Sequence, residues 1–148
     1  MIKISDYWID GRPLPKSRPR FGNGGCVYTP KPTKDWEKSA AAQIRAESWS
    51  LRTPIADAVG VQIVCVYTRP KKIPKAVDAS TVLRSIWHTN QRCPRPVGAD
   101  VDNLAKSCLD AISKAGVWID DTQVYQLWCQ KYYAALGEKE HVSIKIYR

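Results

Sequence analysis

The run VGVQIVCVY, residues 59–67, constrains this chain most. Its β-branched residues suit a pleated surface, so it reads as a buried strand. The other elements take their places around it. Ile2 to Ile9 reads as a first strand. KDWEKSAAAQIRAESW, 34–49, reads as a helix capped by Thr33, with Trp36, Ala40, Ala41 and Ile44 at helical spacing. In DNLAKSCLDAISKAG, residues Leu104, Cys108, Ala111, Ile112 and Ala115 share one helical face, and Gly116 is the expected stop. TQVYQLWCQKYYAA and HVSIKIY alternate as strands do, and LGEKE between them is expected to close a hairpin. The order β-α-β-α-β-β predicts one α+β domain over residues 1–148. It would hold a mixed sheet with two main helices packed on it and a C-terminal hairpin.

Charge narrows the partner. The chain has 23 Lys and Arg against 14 Asp and Glu, a net charge of +9, which points to a polyanion. The cations gather in two proline-marked stretches, expected as basic loops at about 11–34 and 69–98. In the first, no acid stands between Asp10 and Asp35. Its prolines and GNGG argue against a helix, and Arg12, Lys16, Arg18 and Arg20 are candidate phosphate contacts. Arg95 is the candidate in the second stretch, where DASTVLRSIW suggests a short helix. No apolar run approaches 18 residues, so no membrane helix is expected. MIKISDYWIDG reads as a strand and not as a signal peptide. Five cysteines, an odd number without CxxC spacing, fit a reduced cytoplasmic compartment better than a disulfide framework.

The acids gather where the cations do not. Asp100, Asp102, Asp110, Asp120 and Asp121 fall within 22 residues. Asp100 and Asp102 flank Val101. In an extended segment, side chains at i and i+2 face one side, and Asp102 is expected as a helix N-cap. If the following strand packs back near the helix start, Asp120 or Asp121 joins them. Three such oxygen ligands suit Mg2+ or Mn2+. Taken singly, each Asp also fits an ordinary cap or turn, and Asp110 is expected to be solvated. Lys106 lies four residues after Asp102 on the same helical face. Spacing alone fits either a surface ion pair or a cation that stabilises a reacting phosphate.

At these residues a resemblance becomes specific. DVDNLAKSCLDAISKAGVWIDD resembles the signature segment of the RusA family of Holliday-junction resolvases, which are phage and prophage endonucleases. The matching positions are Asp100, Asp102, Asn103, Leu104 and Lys106, followed by Asp120 and Asp121. GRPLPKSRPRFG resembles the family's basic N-terminal loop. One departure is Ala99, where the family often has a basic residue or proline. The resemblance implies metal-binding carboxylates at Asp100, Asp102 and Asp121 and a catalytic lysine at Lys106. It implies Mg2+-dependent hydrolysis of four-way junctions in recombination and repair. It also implies a homodimer in a bacterial cytoplasm, of phage or prophage origin, with branched DNA as partner and no small-molecule cofactor.

Two other readings stand beside it. One keeps the nuclease and changes the substrate to flaps, forks or other branched DNA. The other is a basic nucleic-acid binder without catalysis, with Trp128 or Tyr132 stacking bases. For the dimer, the even-numbered face Val124, Trp128 and Tyr132 is a candidate interface, unless the first helix covers it. His88 and His141 read as a loop residue and a strand residue, not as bases.

Overall fold

A computed structural model describes residues 1–48, 51 and 53–148. In chain order the elements are β1 (Lys3–Asp10), β2 (Arg20–Phe21), β3 (Val27–Tyr28), α1 (Lys31–Glu47), β4 (Val59–Tyr67), α2 (Lys75–Asp78), α3 (Thr81–His88), β5 (Cys93–Pro94), α4 (Val101–Ala115), β6 (Val124–Tyr133) and β7 (His141–Tyr147). The fold is α+β, as its pattern predicts. Among the described residues the main sheet has the order β1-β7-β4-β6-β5 and is mixed: β4 and β6 run parallel, and the other pairs are antiparallel.

The VGVQIVCVY run is the centre of that sheet, hydrogen-bonded on both sides. Ile63 lies between Ile144 and Cys129. Its odd-numbered residues Val61, Ile63 and Cys65 are fully buried beneath α1 and α4. Ala40, Ala41 and Ile44 of α1 and Leu104, Cys108, Ala111 and Ile112 of α4 supply the helical side of the core. Truncating Leu104 or Ile63 to Ala would cost about 2–5 kcal/mol, the usual range for a buried aliphatic side chain.

The C-terminal strands correct one expectation. β6 and β7 are consecutive and run in opposite directions, but they share no ladder, because β4 lies between them. The connection at 134–140 therefore bridges a strand instead of closing a hydrogen-bonded hairpin. Both partners gain: an apolar strand such as β4 is worth most in the middle of a sheet, where both edges and its core face are covered.

Other boundaries also move. α1 begins at Lys31, not after Thr33, so Lys31 and Lys34 are helical and leave the basic loop. Pro32 is tolerated because first-turn N–H groups have no helical partner. Thr33 is buried and its Oγ1 donates to Ser17 Oγ at 3.0 Å. The expected helix end at Trp49 lies outside the described residues. The 69–98 stretch contains α2 and α3, the latter capped by Ser80, whose side chain accepts from Leu83 N. Asp110 is not solvated alone; Lys16 pairs with it at 2.7 Å.

Both long helices lie on one face of the sheet. The opposite face carries Gln62 and Val64 of β4, Trp128 and Gln130 of β6, and Tyr147, whose hydroxyl donates to Gln62 Oε1 at 3.1 Å. Trp128 is 37% exposed, so α1 does not cover it. Val124 leaves the face expected for it. An irregularity between Val59 and Gly60 shifts the register, so that Val124 pairs with Val59 and packs on the core.

Candidate active site

The central feature is the start of α4, which follows a braced loop. Gly98 has φ +80°, a conformation that costs a side-chain-bearing residue about 1–2 kcal/mol. Beside it, the Arg95 guanidinium stacks on Tyr67 at 4.1 Å and donates to Val97 O at 2.7 Å. Lys131 of β6 donates to Ala99 O at 2.7 Å and Val97 O at 3.2 Å. Burial raises the Tyr67 hydroxyl to about 12, so it stays neutral under the two arginines that face it, Arg95 and Arg12. Arg95 was a candidate phosphate contact. Its contacts make it a brace for the loop that ends at Asp100.

Asp100, not Asp102, is the N-cap of α4, with φ −71° and ψ 143°. Leu104 N donates to its backbone carbonyl at 3.1 Å, yet its carboxylate makes no capping bond. Asp102 stands in the first helical turn. The extended-segment argument therefore fails for this pair, since Val101 and Asp102 are already helical. What holds Asp100 and Asp102 at one site is the helix end, where free N–H groups favour anions. Both are exposed, and among the described residues neither forms an ion pair in a chain of net charge +9. Lys106 is exposed too and makes no ion pair there, so the i,i+4 surface pair with Asp102 is not formed.

Asp121 lies elsewhere. It opens a 3-10 turn, Asp121–Gln123, after α4 has ended at Gly116. Because Lys131 holds the loop at the start of α4, β6 runs back beneath the helix and its first residues lie at the helix C-terminus. Asp102 and Asp121 are thus separated by most of α4, about 20 Å at 1.5 Å per residue. The expected packing of this segment near the helix start does not occur. Among the described residues no three Asp, Glu, His or Cys side chains gather closely enough to hold a metal. Asp120 has a structural role: its carboxylate accepts from Thr122 N at 2.8 Å, and the Thr122 hydrogen bonds hold it below the usual carboxylate range.

The basic arm is docked beside α4. Lys16 N donates to Asn103 O at 2.9 Å, and Ser107 Oγ donates to Leu14 O at 2.6 Å. The Lys16 ammonium is occupied by Glu37 at 2.5 Å and Asp110 at 2.7 Å and is only 19% exposed. Its expected phosphate role is replaced by an anchoring one. Arg12, Arg18 and Arg20 remain exposed. Sequence reasoning missed Glu37, a 1%-exposed carboxylate between Lys16 and Lys114. Its signal was a charge on the apolar stripe of α1, four residues before Ala41 and seven before Ile44.

A basic α+β domain with exposed carboxylates at the start of a long helix, free of cations among the described residues, is the class of protein that these observations define. Residues 10–147 match the model of the family described as endodeoxyribonuclease RusA, and the chain belongs to that family. It is 37% identical over 62 residues to a crossover junction endodeoxyribonuclease RusA of Escherichia coli O139:H28 (strain E24377A / ETEC), covering 42% of this chain and 48% of the relative. Proteins of the same name from Escherichia coli (strain K12) and Shigella sonnei (strain Ss046) are each 40% identical over 45 residues, covering 30% of this chain and 38% of theirs. The matched stretch spans about half the length of these relatives or less.

Proposed function

We propose that this chain is a structure-specific DNA endonuclease that cuts four-way junctions as a homodimer. One observation carries the reading: Asp100 and Asp102 are exposed at the start of α4 and free of cations among the described residues, with Lys106 one turn further on, in a chain of net charge +9. Family membership supports the same chemistry.

The donor set fits a divalent cation. Carboxylate oxygens are hard ligands suited to Mg2+ or Mn2+, and these lack competing protein cations among the described residues. A bound Mg2+ supplies Lewis acidity and a more acidic water for hydrolysis of the phosphodiester. Asp100 and Asp102 provide the ligands on one chain. Lys106 presents its ammonium from the same helical face, where it stabilises negative charge building on the phosphate. Arg12, Arg18 and Arg20 hold the DNA backbone and supply affinity.

Asp121 enters from the second copy. β6 pairs with β5 only at Tyr132 and Tyr133, so most of its outer edge is open among the described residues. The apolar side chains of Tyr125 and Leu127 are exposed on β6, Ile119 is exposed just before it, and Val97 and Val101 are exposed at the start of α4. Two β6 edges meeting antiparallel across a two-fold axis set the first residues of one strand beside the last residues of the other. Lys131 ties those last residues to the loop before Asp100. Asp121 of the partner subunit then completes each carboxylate set, and the dimer holds two sites for two opposed strands.

The test is cleavage of a synthetic four-way junction, a flap and a linear duplex, each with and without Mg2+. Metal-dependent cutting of the junction, lost in Asp102→Asn, is expected. Preferred cutting of the flap would move the substrate. Wild-type rates in Asp102→Asn would remove the site.

A further inference from the structure

The basic arm ends in a feature that the chemistry above leaves unused. β2 and β3 form a two-stranded ribbon, with Arg20 opposite Tyr28 and Phe21 opposite Val27. Its tip is a 3-10 turn, Asn23–Gly25, closed by a hydrogen bond from Gly22 N to Cys26 O at 2.7 Å. Gly24 and Gly25 there have φ +82° and +78°.

The ribbon displays apolar surface where it is most costly. Phe21, the only phenylalanine of the chain, is 82% exposed, Val27 60% and Tyr28 45%. A large aromatic side chain in water forgoes the burial that ordinarily stabilises it. The surroundings are cationic: Arg18 and Arg20 precede Phe21, Lys31 and Lys34 follow the ribbon, and no acid stands between Asp10 and Asp35.

The arm that leads into the ribbon is docked by hydrogen bonds along the first half of α4, the helix that carries Asp102. Pro13 is buried, Lys16 N is bonded to Asn103 O one residue beyond Asp102, and Ser17 is bonded to Thr33 in the first turn of α1. An exposed aromatic on a cationic ribbon, held at a fixed offset from the carboxylates, suits bases that have lost a stacking neighbour. A continuous duplex offers no such face without unstacking, whereas a branch point does.

We propose that Phe21 is a wedge that stacks on a nucleobase at the branch point of the DNA, while Arg18 and Arg20 hold the flanking phosphates. This rests on the nuclease reading and names the part of the substrate that selects it. The wedge converts branch structure into affinity, and the carboxylates cut beside it.

Phe21→Ala and Phe21→Trp are compared with wild type for binding to a four-way junction and to a linear duplex of equal length, across a salt series without Mg2+. The expected result is a loss of junction affinity of roughly 5- to 150-fold in Phe21→Ala, the range found for removal of one base-stacking aromatic. Duplex affinity and the salt slope stay unchanged, because no charge is lost. Phe21→Trp retains junction affinity. Phe21 is exposed, so folding is not at stake. A second measurement leaves Phe21 intact. Alkylation of the exposed Cys26 thiol should slow in the presence of junction and not of duplex. Equal junction affinity in wild type and Phe21→Ala, or no selective protection of Cys26, overturns the wedge. Failure of wild type to prefer junction over duplex overturns the junction reading instead.

Discussion

A mixture of two inactive variants tests the shared active site. Asp102→Asn spoils the carboxylate pair at the start of α4, and Asp121→Asn spoils the carboxylate after it. Within one chain most of α4 lies between these groups, about 20 Å of helix axis at 1.5 Å per residue, whereas a bound Mg2+ requires oxygens at about 2.1 Å. No side-chain rotation closes that gap. If the site is shared across a two-fold axis, a mixed dimer has one site with both defects and one with neither. After free exchange at equal concentration, about half of the dimers are mixed. The intact sites then number about one quarter of those in wild type. The assay is cleavage of a junction labelled on opposed strands. The mixture should regain about a quarter of the wild-type nicking rate, and its products should be single nicks, since each mixed dimer holds one working site. Differently tagged chains that co-purify verify the exchange. Exchange without recovered nicking refutes the shared site and requires all three carboxylates to come from one chain.

Two further outcomes follow from the packing. Glu37→Ala strips Lys16 and Lys114 of their buried partner and should destabilise the fold by about 3 kcal/mol in urea unfolding, the lower end for a broken buried pair. Burial pushes the Glu37 carboxyl up, but hydrogen bonds from Lys114 and Lys16 outweigh it and hold the group below its ordinary value. Its contribution is therefore complete above the unfolded value of about 4.3 and is lost as pH falls through the lower folded value. Wild type should lose stability over that acid range faster than Glu37→Ala does. Gly98→Ala would place a methyl group against the Arg95 guanidinium in a left-handed backbone. It should cost at least about 1–2 kcal/mol and, by displacing the loop before Asp100, lower cleavage more than DNA binding. Unchanged cleavage in that variant would show that the brace does not position Asp100.

Local patterns were sufficient for the elements and for the neighbourhood of the site. The β-branched run at 59–67, the helical spacing of Leu104, Cys108, Ala111 and Ile112, and the stop at Gly116 are all read from neighbours within a few residues. Their structural counterparts lie within about one or two residues of the expected limits. The nearness of Asp102 and Lys106 was legible for the same reason, since a helix brings residues at i and i+4 together wherever it packs; Asp100 joins them at the helix end and not through the extended pairing expected. The resemblance to the family was carried by the same segment, whereas membership rests on a match over residues 10–147.

What no short window contains is which strand lies beside which, and which cation meets which acid. Alternation in β6 and β7 is equally compatible with a hairpin and with two neighbours of β4. The choice belongs to the strand between them, some sixty residues earlier. Lys16 looked like a free cation until α1 and α4 brought Glu37 and Asp110 to it, at sequence separations of 21 and 94 residues. The direction of β6 beneath α4 carries Asp121 away from Asp102, although only 19 residues separate them. Sequence thus determined the elements and their chemistry, because backbone preference and side-chain period act locally. Only the tertiary structure decided which charges are spent on the fold and which remain for a ligand, because pairing depends on distances set by the packing of the whole chain.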